Sequence, residues 1–509
     1  MLSKILTGAN IGLDAISITC EVDITKQGLP SFTIVGLADR AVEESKERVR
    51  SAIRNSGADF PQHKITVNLA PADLPKEGPI FDLPVAIGLL LASSQITNSS
   101  KINIDKTLFL GELSLDGTLR KSSGVLPLSL LGKQMGLENI IVPKENGAEA
   151  AIVEGIKVFG AESLKQIIEI ILGQKDLPEV KREAIDFESN LDFEYDFSQI
   201  KGQENAKRAL EIAACGGHNI LLKGPPGAGK TMLARAFPSI LPALLFEEAV
   251  EVTKIYSISG LLSASNSLIT NPPFRSPHHS ASHVGLLGGG NNIRPGDISL
   301  AHRGVLFLDE VAEFPRYVLE SLRQPLEDHK ITISRASGSL TFPAKFILLA
   351  AQNPCPCGFL GSKIKSCSCM PGQISKYKRK ISGPLLDRID IYLEVPAVEV
   401  DKLSDDLKVE DSKIIRERVK KARKIQQERF KGKILTNSEM SNSDIKQFCS
   451  ITQDGMDLLK MAISSLNLSA RGYHRVLKLS RTIADLAESE NILSEHIAEA
   501  LQYRAREES

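Results

Sequence analysis

The stretch "NILLKGPPGAGKTMLARAF", residues 219–237, constrains the chain more than any other. An apolar run at 219–222 reads as a buried strand, residues 224–231 fit G-x-x-x-x-G-K-[ST], and the residues that follow have helical spacing. A strand that turns through glycines directly into a helix is the opening of a βαβ unit, so the surrounding region is expected to be a parallel α/β sheet. The glycines Gly224, Gly227 and Gly229 would let backbone N–H groups close around phosphates, with Pro225, Pro226 and Ala228 completing the loop. Lys230 would reach the β and γ oxygens, Thr231 would hold Mg²⁺ through its hydroxyl, and Met232 follows on the helix.

Two further apolar strand candidates supply the partners such a loop needs. "GVLFLDE" ends its apolar run, 305–308, in Asp309 and Glu310. Asp309 would bind the Mg²⁺ through water, and Glu310 would orient and deprotonate an attacking water. "KFILLAAQNP" ends in Asn353, placed to polarise that water or to touch the γ-phosphate. "GPLLDRIDI" then supplies Arg388, and "SARGYHRVLKLSR" supplies Arg471 and Arg475 near the start of a helical stretch. An acidic pair at a strand end is by itself commonly a solvated loop, and an isolated arginine is usually a surface charge. The phosphate loop upstream gives both their weight.

At 509 residues the chain is expected to hold about three or four domains. Residues 1–172 mix alternating strands (17–24, 31–35, 65–69) with helical stretches such as 41–55, the pattern of an α+β domain. A charged stretch at 173–195 reads as a linker, 196–398 as the α/β core, and 399–509, rich in amphipathic helical patterning, as a helical domain. Sixty-two basic residues balance 62 acidic ones, so net charge argues for neither nucleic acid nor membrane. Nowhere do 18 apolar residues run together and the first residues carry no leader pattern, so a cytoplasmic protein without a membrane partner is expected.

Taken in order, the five features resemble the AAA+ ATPases: Walker A, Walker B with its glutamate, sensor 1 at Asn353, an arginine finger at Arg388, and sensor 2 on a helical lid. Arg471 is the choice for sensor 2 and binds nucleotide on that reading, with Arg475 its competitor. Longer stretches, "IKGQENAKRALEIAACGGHNILLKGPPGAGKT", "PFRSPHHSASHVGLLGGGNNIRPGDISLAHRGVLFLDEVAEF", "LRQPLEDHKITISRA" and "AAQNPCPCGF", are similar to the magnesium-chelatase-like AAA+ branch and, more closely, to the ComM/YifB family. The resemblance implies ATP and Mg²⁺, a finger that enters the neighbouring subunit's site, and hence a homo-hexameric ring. It also implies an ATP-driven DNA motor, a helicase for branch migration in recombination during natural transformation, acting on single-stranded, forked or branched DNA with recombination proteins nearby. The alternatives are a protein-remodelling or regulatory ATPase and a motor subunit for metal insertion.

In the N-terminal domain, "KEGPIFDLP" at 76–84 resembles the K-D-G-P-S-A-G turn of Lon-type proteases, and "GELSLDGTLRKSSGVLPLSLLGKQMGLENIIVPKEN" resembles their later lysine-bearing segment. The implied fold is Lon-protease-like (S5-like). Ile80 and Leu128 stand where the family has its serine and lysine, and neither can transfer a proton, so no protease activity is expected. A scaffold and a nucleic-acid-binding module remain the two readings.

Cys355, Cys357, Cys367 and Cys369 fall within 15 residues. They read as a thiolate set for a structural Zn²⁺, against reduced structural thiols or a redox pair. His278, His279 and His283 read as hydrogen-bonding loop histidines rather than ligands. "KITISRASGSLTFPA" reads as a hairpin with Ser337 and Gly338 at its tip, and Lys330 and Arg335 as candidate DNA phosphate contacts. The basic run Lys376, Lys378, Arg379, Lys380 is another candidate, and a solvated surface is the plain alternative for each.

Overall fold

Leu2–Ile11 and Asp14–Thr25 pair antiparallel in an unbroken register, from Leu2 opposite Asp23 to Ile11 opposite Asp14. The computed structural model describes residues 1–504 apart from 38, 98–101, 183–186, 188–192, 264–265, 291–292, 336–337, 362–364, 398–409, 433 and 466–467. Part of the expected linker, the start of the expected helical domain and Ser337 of the hairpin tip therefore lie outside the described residues. The chain forms two units, one of Met1–Ile185 with Ala249–Ile269, the other of Asp186–Glu248 with Thr270–Ser509. Residues 249–269, inside the span read as the α/β core, belong to the first.

The first unit is built on a seven-stranded mixed sheet. Its order is Ser31–Val35, Lys64–Ala70, Asp14–Thr25, Leu2–Ile11, Thr107–Phe109, Asn139–Pro143, Lys157–Ala161. Alternation drives the central strand, where Ile18, Cys20, Val22 and Ile24 point into the core. Leu2–Ile11 carries no such signal, because Thr7, Gly8 and Ala9 are all buried between two neighbouring strands. Arg40–Asn55 is a helix capped by the Asp39 carboxylate, which accepts from Val42 N, and it buries Val42, Ser45, Val49, Ala52 and Ile53 along one face.

The turn at 76–84 uses its polar groups for structure. The Lys76 side chain is buried, its ammonium donates to the Pro71 carbonyl, and burial holds its pKa below the ordinary lysine value. Arg48 donates to both carboxylate oxygens of the buried Asp82, at 2.7 and 3.0 Å. Burial still pushes the Asp82 carboxyl up to about 6. Ile80 and Leu128 are buried hydrocarbon.

The second unit holds a five-stranded, all-parallel sheet in the order Phe274–Arg275, Val305–Leu308, Ile347–Gln352, Ile220–Lys223, Ile391–Glu394. The three middle strands are those expected from sequence; the two short edge strands are not. Leu222, Phe307, Leu349 and Ile391 of the sheet share one buried cluster with Val419, Leu479, Ile483 and Ile497 of the C-terminal helices. Those helices are Ser412–Phe430, Asn442–Phe448, Gln453–Ser465, Ala470–Leu486 and Ser494–Gln502. Among the described residues no helix is long and apolar enough to cross a membrane.

A buried carboxylate ties these helices together. Asp485 accepts from Arg429 (2.9 Å to Oδ2), Arg481 (3.0 Å to Oδ1) and Asn437 (2.8 Å to Oδ2). Asp485→Ala would leave the fully buried Arg481 guanidinium and Arg429 without their counter-charge, a change expected to cost about 3–5 kcal/mol. Thermal and denaturant unfolding of the variant measures this, and a loss under ~1 kcal/mol would show that the network contributes little.

Candidate functional site

In a parallel sheet all strands end on the same edge, and side chains just beyond those ends converge. The glycine-rich loop leaves Ile220–Lys223 at that edge and returns as the helix Lys230–Ala236. Gly224 is obligatory because a Cβ there would run into the Val395 carbonyl oxygen. Gly227 and Gly229 have φ of +76° and +85°, a left-handed backbone that turns successive N–H groups inward. The buried Lys230 ammonium donates to Gly224 O (2.6 Å), Pro225 O (2.9 Å) and Asn353 Oδ1 (3.1 Å), one acceptor for each of its protons. Burial lowers its pKa, against the pull of Asp309 and Glu310.

From the adjoining strand ends come the carboxylates. Thr231 Oγ1 donates to Asp309 Oδ2 at 2.8 Å, so a hydroxyl and a carboxylate oxygen meet at the mouth of the loop, a hard-oxygen pair of the kind that holds Mg²⁺. Glu310, whose side chain is exposed, has φ of +49°, which for a non-glycine residue costs on the order of 1 kcal/mol. The structure thus brings together Lys230, Thr231, Asp309 and Asn353, with Glu310 beside them.

His279, read from sequence as a hydrogen-bonding loop histidine, lies beside the acidic pair. Its Nδ1 lies 4.0 Å from Glu310 Oε2, and its ring rests 4.1 Å from that of His278 and edge-on to Phe314. The loop that carries it leaves the edge strand Phe274–Arg275, which pairs with Val305–Leu306. That two-residue strand is too short to be read from periodicity, so the sequence held no signal for the approach to Glu310. His278 instead meets Ser280 Oγ, and His283 lies against Tyr317.

The arginines sit elsewhere. Asn219, at the amino end of its strand, donates to the Arg388 carbonyl (2.9 Å), which fixes Arg388 at the edge of the sheet opposite the loop. Asn219 to Gly224 spans about 16 Å of strand, more than an arginine side chain covers. Arg388 is folded against Glu327 at 2.5 Å, and Arg471 approaches the same carboxylate at 3.9 Å. The Arg388 guanidinium holds Glu327 below the usual carboxylate range. Arg475 donates to Ile389 O (2.8 Å) and is paired with Asp387. All three arginines line one cavity of about 660 Å³, together with Glu327, Arg303 and Lys478, and no residue of the glycine-rich loop lines it. Arg471, expected to bind nucleotide, lines this cavity and not the loop around Lys230.

The four cysteine sulfurs lie within 4.8 Å of one another, and among the described residues no other group of three or more His, Cys, Asp or Glu side chains is close enough to share an ion. Backbone N–H groups of Phe359 and Ser368 draw the Cys357 thiol down to about 5. The hairpin is formed by Lys330–Arg335 and Gly338–Pro343, with Thr332 and Thr341, and Ser334 and Ser339, paired by hydroxyls on its open face. Lys330 is exposed at its base. Of the basic run, Lys380 is paired with Glu313 at 3.0 Å.

Comparison with known proteins matches three family models: Magnesium chelatase, subunit ChlI, at 196–403; Subunit ChlI of Mg-chelatase at 20–146; and Magnesium chelatase, subunit ChlI C-terminal, at 409–504. The chain is 44% identical to the competence protein ComM of Haemophilus influenzae over 99% of this chain and 97% of that one. It is 43% identical to the YifB protein of Escherichia coli, again over 99% and 97%. Lon protease 2 of Bacillus subtilis shares 30% identity over 132 residues, 25% of this chain and 22% of its own, in the N-terminal region.

Proposed function

Because the chain belongs to the ComM/YifB family of magnesium-chelatase-like proteins, we propose that it is an AAA+ ATP hydrolase that works as a homo-hexameric motor on DNA during competence-related recombination. The observation that carries the hydrolase reading is the meeting of Lys230, Asn353, Thr231 and Asp309 at one edge of the parallel sheet, with Glu310 next in the chain.

Each residue has a task there. Loop N–H groups and Lys230 bind the β and γ phosphates of ATP. Thr231 and Asp309 hold Mg²⁺, which when bound neutralises charge on those phosphates. Glu310 accepts the proton of the attacking water through its carboxylate, and Asn353 Oδ1 keeps Lys230 aligned. Arg388 and Arg471, both drawn to Glu327 at the far edge of the sheet, would serve the next subunit's ATP, so each site is completed only in a ring. The hairpin with Lys330 and Arg335 would follow DNA phosphates. The N-terminal unit, with hydrocarbon at Ile80 and Leu128, has no proteolytic dyad and would act as a scaffold or DNA-binding module.

The deciding experiment is ATP-dependent strand displacement and branch migration by the purified protein on forked and three- or four-stranded DNA, with Glu310→Gln as control. Processing that needs both ATP and Glu310 is expected. Hydrolysis with neither DNA processing nor stimulation by DNA would overturn the motor reading and turn attention to a protein substrate.

A further inference from the structure

We propose that Cys355, Cys357, Cys367 and Cys369 bind one soft divalent ion, Zn²⁺ by its chemistry, and that this ion sets the geometry of the adjoining nucleotide loop. The second half rests on the nucleotide-site reading above; the first does not.

The geometry of the sulfurs carries the metal site. Sγ separations are 3.4 Å for Cys355 to Cys357, 3.7 Å for Cys355 to Cys367 and 3.6 Å for Cys357 to Cys367. A disulfide needs about 2.05 Å, so no pair is bonded. Four thiolates around Zn²⁺ at about 2.3 Å stand about 3.8 Å apart, close to what is found. The outer hydrogen bonds suit thiolates too: Cys357 N donates to Cys369 Sγ (3.3 Å) and Cys369 N to Cys367 Sγ (3.4 Å). Cys355 is fully buried while the other three reach solvent, which leaves the ion a path in. Four thiols so close together without an ion would be open to oxidation.

Coupling follows from where the cluster hangs. Asn353, which binds Lys230, is two residues from Cys355, with Pro354 between them, and Pro356 separates Cys355 from Cys357. Two prolines with fixed φ make this a stiff connection. On the other side, Gly358 has φ of +83°, and a Cβ built there would strike the Pro226 ring at 2.6 Å. The cysteine loop therefore lies directly on the glycine-rich loop, touching it at Pro226 and reaching Lys230 through Asn353. Without the ion the four sulfurs lose their common anchor, and both contacts are released to move.

The test uses the full chain, purified after growth with Zn²⁺. Metal is counted by plasma mass spectrometry, and nucleotide affinity is read with a fluorescent ATP analogue. One Zn²⁺ per chain is expected, released stoichiometrically by an organomercurial, and absent from the Cys367→Ser/Cys369→Ser variant. Stripping the wild type with chelator under reducing conditions should weaken nucleotide binding roughly 10–100-fold, and Zn²⁺ should restore it. That arm does not depend on the variant folding. Metal-free wild type with four titratable thiols would overturn the site. Bound zinc whose removal leaves nucleotide affinity unchanged would overturn the coupling. Lys230→Ala separates the two readings: it should keep its zinc and lose nucleotide. If zinc-loaded wild type bound no nucleotide, the nucleotide reading and the coupling would both fall, while the metal count would still decide the site.

Discussion

Glu310→Gln should bind ATP as tightly as the wild type and hydrolyse it roughly 100- to 10,000-fold more slowly, the range that a positioned general base contributes. The amide keeps the size of the carboxylate and can occupy the same left-handed backbone (φ +49°), so the loop around Lys230 has no reason to move. It cannot accept the water's proton. Single-turnover hydrolysis and direct nucleotide binding, measured on the same preparation, separate the two effects. A variant that hydrolyses at close to the wild-type rate would show that another group is the base. His279, at 4.0 Å from Glu310, would then be the first to examine.

The second large effect concerns the arginines. Arg388→Ala should lower turnover by roughly 1,000-fold or more, as loss of an arginine finger does. Mixed with Glu310→Gln subunits, it should recover activity. Wherever an Arg388→Ala subunit supplies Glu310 and its neighbour supplies Arg388, a complete site forms, at about a quarter of the interfaces in a random equimolar ring. No recovery from a properly assembled mixture would mean that Arg388 does not act across the interface. The same logic decides Arg471. Arg388 and Arg471 share Glu327 and one cavity, so both should come from the same neighbour. A mixture of Arg388→Ala with Arg471→Ala then contains no interface with both arginines and should stay inactive. If Arg471 served the nucleotide of its own chain, that mixture would recover.

Much of the second unit could be read along the chain because its signals are local. The run at 305–308 is a strand in the structure with those limits, and the expected hairpin forms from Lys330–Arg335 and Gly338–Pro343. Other elements carry no local signal. Leu2–Ile11 is a strand because two neighbours pair with it, and Phe274–Arg275 and Ile391–Glu394 are too short to show a period. The candidate site divides the same way. Lys230, Thr231, Asp309 and Asn353 stand at motif positions, whereas the approach of His279 to Glu310 and the pairing of Arg388 with Glu327 link residues far apart in sequence.

By itself the sequence determined the chemistry at the strand ends: a glycine-rich loop, its lysine and threonine, an acidic pair and an asparagine, each following an apolar run that could only be a buried strand. It determined as well that the turn at 76–84 lacks a nucleophile. Only the tertiary structure decided the strand order that sets three of those ends side by side, and the opposite edge to which Arg388, Arg471 and Arg475 are confined. It also laid the cysteine loop on Pro226. The reason is physical: periodicity and turn chemistry act over a few residues, whereas strand order and edge follow from packing between segments up to hundreds of residues apart, whose spacing leaves no mark on either segment alone.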